Sequence, residues 1–142
     1  MANEPEYDPR YLAGIVLFNR GDFFEAHEVW ESLWLDTAGP DKRFYQGLIQ
    51  AAVGLLHFGN GNVRGAAKLY RSSRDYMQRY DPVHLGLDQG AFWTQMDRCF
   101  AEVAAATAPD RSIELHEELI PEIAIDPPPA SWPRPEDFLE AT

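Results

Sequence analysis

Between Arg10 and Ala106 the apolar residues recur at helical spacing, and no stretch in that span alternates apolar and polar positions between hairpin turns. This pattern predicts an all-α chain. Its interruptions place the helices. Pro9 suits a first helical turn and Gly21 a helix exit, which predicts a first helix over 9–20. Asp22, with Glu25 three positions on, has the form of a capping box for a second helix that the Thr37-Ala-Gly-Pro40 loop stops. Asp41 opens a third helix running to about Phe58. Asn62 caps a fourth that ends near Tyr80-Asp81-Pro82, and a fifth begins around Asp88 and fades before Pro109. The apolar part of the longest charge-free stretch, 44–58, is too short for the ~20 residues that a bilayer helix requires.

Shifting the chain by 40 positions sets Phe18 on Phe58, Gly21 on Gly61, Ala26 on Ala66, Val29 on Leu69 and Trp30 on Tyr70. The small residue admits a partner helix and the aromatic fills the groove one turn later, so the repeat predicts two related helical hairpins of tetratricopeptide-like form, closed by the fifth helix. The expected organisation is a compact five-helix bundle domain at 1–108 and an extended proline-rich tail at 109–142 packing on it. A short helical candidate covers 112–119. Beyond it, consecutive prolines favour polyproline II, with Trp132 available to pin the segment and Ile120, Ile123 and Ile125 seeking burial. Phe92, Met96, Cys99 and Val103 share one stripe, which places the single cysteine in the core and leaves no thiolate pair for a disulfide or a zinc cluster.

The second helix carries the residues most suited to chemistry. Phe23, Ala26, Val29, Trp30, Leu33 and Trp34 cover a broad apolar arc, Phe24 and Leu35 form another apolar edge, and His27 and Glu31 fall between them four residues apart. An ionised glutamate in such a seam needs a partner. The third helix offers a narrow polar stripe of Gln46, Gln50 and His57. An antiparallel hairpin turning near Gly39 sets Glu31 opposite Gln46 and Gln50, with His57 farther along toward Asn19 and Asp22. His27 and Glu31 also have a spacing that can chelate a divalent metal, although His27-Glu28-Val29-Trp30-Glu31 departs from the zinc-protease His-Glu-x-x-His string in its last residue. His84 and His116 read as surface residues. Arg64, Lys68, Arg71 and Arg79 cluster on one side of the fourth helix with Asp75, a face either solvated and paired with the protein's own carboxylates or open to an anionic ligand or acidic partner.

The segments Phe18-Asn-Arg-Gly21-Asp-Phe-Phe-Glu25-Ala-His27-Glu28-Val-Trp30-Glu31-Ser-Leu-Trp34, Phe44-Tyr-Gln46-Gly-Leu-Ile-Gln50-Ala-Ala-Val-Gly-Leu-Leu-His57 and Gly65-Ala-Ala resemble the domain of unknown function 309 family, over roughly residues 10–105. The resemblance implies a small multihelical prokaryotic-type protein and brings no activity with it.

No serine lies in a nucleophile elbow and no glycine pattern matches a phosphate loop, so no reaction is named. The candidate ligand-binding residues are His27, Glu31, Gln46, Gln50 and His57, with His27 and Glu31 as the metal candidates and a divalent metal as the candidate cofactor. The expected occupant is a small polar ligand or a metal ion. The competing expectation is a non-enzymatic interaction module that holds a protein partner while the cluster serves only to fix helix register. The formal charge of −11 disfavours nucleic acid. The acidic, proline-broken amino terminus lacks the form of a secretion signal, which predicts a cytoplasmic protein away from membranes. Four tryptophans and a flat helical surface would suit a homodimer.

Overall fold

The two halves of the repeat turn in the same way. In the computed structural model, which describes residues 6–139, α1 (Pro9–Asn19) passes into α2 (Phe23–Asp36) through Gly21 at φ +82°, and α3 (Lys42–Gly59) passes into α4 (Val63–Met77) through Gly61 at φ +83°. Both positions are left-handed, where glycine, having no Cβ, is least strained. The closing hydrogen bonds match as well. Gly21 N–H donates to Phe18 O and Asp22 N–H to Leu17 O, as Gly61 does to Phe58 and Asn62 to His57.

Each hairpin is drawn tight at equivalent positions. A side chain at Gly14 would run into the Trp30 indole, whose Nε1 donates to Tyr11 O at 3.1 Å. Its counterpart Gly54 lies against the backbone around Tyr70. Phe18, Ala26 and Trp30 are buried, as are Phe58 and Ala66. Between the hairpins α2 packs on α3; within the second hairpin α3 packs on α4, the most extensive helix contact, where the fully buried Ser73 donates to Gly47 O at 2.6 Å. Burying that hydroxyl is tolerable because it is hydrogen-bonded.

Several local expectations are corrected. Asp22 and Asp41 precede their helices but neither side chain makes a capping bond, whereas Asn62 caps Gly65 and Asp88 caps Ala91. The fifth helix is broken at Phe100 into α5 (Gln89–Cys99) and α6 (Ala101–Ala105), giving six α-helices among the described residues. A two-residue hairpin, β1 (Val83–His84) and β2 (Leu87–Asp88), precedes α5. Its turn is Leu85-Gly86, both at positive φ (49° and 77°), the form that matches strand twist in the shortest hairpins. Leucine is an unusual residue there, and the Tyr11 hydroxyl holds the turn by donating to Leu85 O at 3.0 Å. No helix among the described residues is long and apolar enough to cross a membrane.

After α6 the chain is largely extended, and only Glu117–Leu119 of the short helical candidate at 112–119 forms, as a single 3-10 turn. Side-chain amides take up the extended backbone. Asn19 donates to Ile123 O and accepts from Ile123 N–H, both at 2.8 Å, and Gln95 brackets Glu122 in the same way. This satisfies peptide groups that no neighbouring strand reaches. Ile123 and Ile125 are buried against the helices, but Trp132 is 44% exposed and does not serve as the anchor expected of it. Residues 1–5 and 140–142, which bear on the reading of the amino terminus and on the end of the tail, lie outside the described residues. Cys99 is buried on α5, and burial pushes its thiol up to about 12.

Candidate functional site

Glu31 sits where two grooves meet. Toward α3 it lines a cleft of about 230 Å³ with Trp34, Gln46, Ile49 and Gln50. Toward the outer face of α2 it lines a second groove of about 380 Å³ with Phe24, His27, Glu28, Ser32, Leu35 and Asp36. The His27 imidazole joins the two by its Nε2, 2.8 Å from Glu31 Oε2. The helix makes this pair by itself, since side chains four apart stand one above the other. The antiparallel hairpin then carries Gln46 and Gln50, one turn apart on α3, to the far wall.

The cluster is more open than an apolar seam would make it. The Glu31 side chain is 49% exposed and that of His27 26%. The predicted residues are therefore divided between the grooves: Glu31, Gln46 and Gln50 share the inner cleft, His27 opens on the outer one, and His57 lines neither. Asn19, expected beside His57, is engaged by Ile123. Gln46 Nε2 donates to the Tyr76 hydroxyl at 3.3 Å, tying the wall of the cleft to α4. Lys42 Nζ lies 4.2 Å over the Trp34 ring, a cation–π contact that holds the indole at the mouth.

Buried polar atoms left without a protein partner gather around this place. Among the described residues there are four, and three of them are His27 Nδ1, Trp34 Nε1 and Gln50 Oε1. Such an atom costs about 1–3 kcal/mol unless something satisfies it. Together they offer a fixed donor from the indole, a fixed acceptor from the amide, and an imidazole nitrogen whose role depends on its tautomer. As a metal site the cluster is thin. His27 and Glu31 supply two donors, and no group of three or more His, Cys, Asp or Glu residues able to hold a metal ion occurs among the described residues.

Two features were missed by spacing. His84 is not a surface residue of polar surroundings. Its ring is half-buried, 4.6 Å from that of Phe44 and 4.7 Å from that of Tyr80, and its Nε2 lies 2.8 Å from Asp41 Oδ1. The partners are 43 residues apart in sequence, so no helical period could announce them. His116 does lie exposed, near Glu102 and Glu118. The second feature is the Trp34 indole, read from the sequence as part of the apolar arc and found with its N–H lacking a partner.

The fold thus defines an all-α protein of paired helical hairpins with a polar cleft between the second and third helices. The family model described as Domain of unknown function (DUF309) matches residues 11–69, so the resemblance drawn from the residues is found over α1 to α3 and the first part of α4. That span contains Glu31, Gln46, Gln50 and both imidazoles first considered with them. Among curated proteins the chain is similar to "Uncharacterized protein YpuF" of Bacillus subtilis (strain 168), 32% identical over 106 residues, or 72% of this chain and 61% of that protein. It is also similar to an "Uncharacterized protein" of Aquifex aeolicus (strain VF5), 26% identical over 102 residues, or 71% of this chain and 31% of that protein. The chain thus spans less than two thirds of the length of these relatives.

Proposed function

We propose that this protein is a binding protein whose α2–α3 cleft receives a small polar molecule bearing both a hydrogen-bond donor and an acceptor. The observation that carries the reading is that Trp34 and Gln50, whose Nε1 and Oε1 are buried without a partner among the described residues, line one cleft together with Glu31. Buried polar groups are nearly always satisfied, and a ligand that parted the cleft wall enough to reach these two would complete them while Glu31 fixed its orientation. At about 230 Å³ the cleft is smaller than the ~300–1,000 Å³ usual for drug-sized ligands, which favours a molecule of amino-acid size. His27 positions Glu31 from behind. A divalent metal is the less supported occupant, for want of a third donor of its usual kind.

The rival reading is an interaction module built of tetratricopeptide-like hairpins. Its support is the outer groove, where Phe24 and Leu35 are 50% and 64% exposed on either side of His27 and Glu31. Such an apolar rim around a polar centre suits a protein partner or a second copy of the chain. Both readings concern a cytoplasmic protein that leaves nucleic acid and membranes alone. A thermal-shift panel of free amino acids and simple carboxamides, with zinc as a separate arm, tests the first reading. The expected result is a saturable rise in melting temperature that Glu31→Ala and Gln50→Ala remove and a chelator does not. A flat response to the panel, with pull-down of a protein partner sensitive to Phe24→Asp and Leu35→Asp, would establish the rival instead.

A further inference from the structure

A further polar concavity lies on α4 and is built of unlike chemistry. Arg64, Lys68 and Arg71 project from one stripe of the helix, within about 60° of arc and about 10 Å of length at helical geometry. With Ala67 as a small floor between them, they line a groove of about 540 Å³ whose far wall is the bend Thr107-Ala108-Pro109-Asp110. Among the described residues, none of the three cations has a carboxylate oxygen within ion-pair distance. Asp110, which lines the same groove, is engaged by the backbone N–H and hydroxyl of Ser112. By contrast Arg74, on the same helix, is paired with Asp97 and lies over the Trp93 ring.

The start of α4 adds to this imbalance. Its first turn contains no acidic residue and does contain Arg64, and the Arg111 side chain comes to the turn at Gly61 just before it. The amino-terminal end of a helix is itself positive, so cations there raise the local potential where acids would ordinarily lower it. With three cations and only the Asp110 carboxylate lining it, the groove keeps an excess of positive charge in a chain of net charge −11, which a bound anion would relieve.

We propose that the groove between α4 and residues 107–110 binds a small, soluble, multiply charged oxyanion of the phosphate class, held by Arg64, Lys68 and Arg71. The volume lies within the ~300–1,000 Å³ range of small-molecule sites. Two guanidinium forks and an ammonium at successive turns suit a molecule with more than one anionic oxygen cluster, such as a pyrophosphate group. The site is separate from the α2–α3 cleft and stands or falls without it.

Inorganic pyrophosphate titrated into the full chain by calorimetry, at ionic strength matched with sodium chloride, tests this. Saturable binding is expected, weakened at least about ten-fold in Arg64→Gln/Lys68→Gln/Arg71→Gln and kept in Arg79→Gln, which removes a cation from outside the groove. All three cations are exposed, so circular dichroism should show the triple variant fully helical; should it not, Lys68→Glu alone is expected to abolish binding. Absence of binding by the unaltered chain, or binding unchanged in the triple variant, overturns the proposal. Two further arms separate the sources of anion. Preferential capture of a glutamate oligomer would reassign the groove to an acidic protein partner, and co-sedimentation with phosphatidylglycerol vesicles would reassign it to a membrane surface, each against the proposal.

Discussion

Two imidazole–carboxylate pairs in this protein have the same 2.8 Å separation and very different surroundings. His27 and Glu31 stand four apart on α2, at the edge of a cleft. His84 and Asp41 come from the β-hairpin and the residue before α3, with the His84 ring set edge-on to Phe44 and tilted against Tyr80. The first pair is made by one helix and constrains nothing beyond it. The second ties two distant parts of the chain, and with the Tyr80 hydroxyl donating to Pro40 O and that of Tyr11 to Leu85 O it fixes the hairpin on the bundle. Equal geometry therefore carries unequal structural weight. The pair free of a structural task is the one available for binding.

The largest expected effect is on the long-range pair. His84→Ala removes two aromatic contacts and a hydrogen bond and should lower stability by about 2 kcal/mol in chemical denaturation. His27→Ala, at a half-open surface pair, should cost no more than about 1 kcal/mol. An equal loss in both would break the comparison.

Raising the pH should lower stability through Cys99 in the core and through Tyr45 and Tyr11. Burial pushes Tyr45 up to about 12, with the Asp41 charge adding to it, and Tyr11 is raised in the same direction by burial. Cys99 in the core behaves likewise. In each case the folded chain keeps a proton that the unfolded chain gives up earlier, so the folded state binds more protons and stability falls as pH rises. The contribution of these groups should be full below about pH 8.5, where they are protonated in both states, and decline from there toward 12. The melting temperature followed across that window checks the sign.

A smaller contrast is expected from double-mutant cycles. Coupling between His84 and Asp41 should be about 1 kcal/mol and that between His27 and Glu31 about 0.3–0.5 kcal/mol, the ordinary value for a helix-surface pair. Reversal of that order would mean that the α2 pair has a structural task after all.

The same contrast explains what the sequence allowed to be read. The repeat, the glycine exits at 21 and 61, and the facing of Glu31 with Gln46 and Gln50 follow from short-range periodicity and one turn, and they are legible. Spacing also brought His27 and Glu31 together. What it could not convey was depth: the degree of exposure of Glu31, 49%, depends on how closely α2 and α3 approach, which periodicity does not state. The β-hairpin escaped notice because its turn is Leu-Gly where Asn-Gly is usual, and the break at Phe100 has no proline or glycine to mark it. His84 was misplaced because its partners are distant in sequence. The basic stripe on α4 was visible, but its opposing wall comes from residues 107–110, and no local rule brings those two segments together.

If the cleft beside Glu31 is a binding site, the Trp34 indole N–H is the group to report on it, because that donor has no partner among the described residues. Its ¹H–¹⁵N resonance, followed while the amino acids and carboxamides that raise the melting temperature are titrated in, should move saturably in the native chain and stay fixed in Glu31→Ala/Gln50→Ala. A Trp34 signal that no such ligand moves, or that moves equally in the double variant, would contradict it.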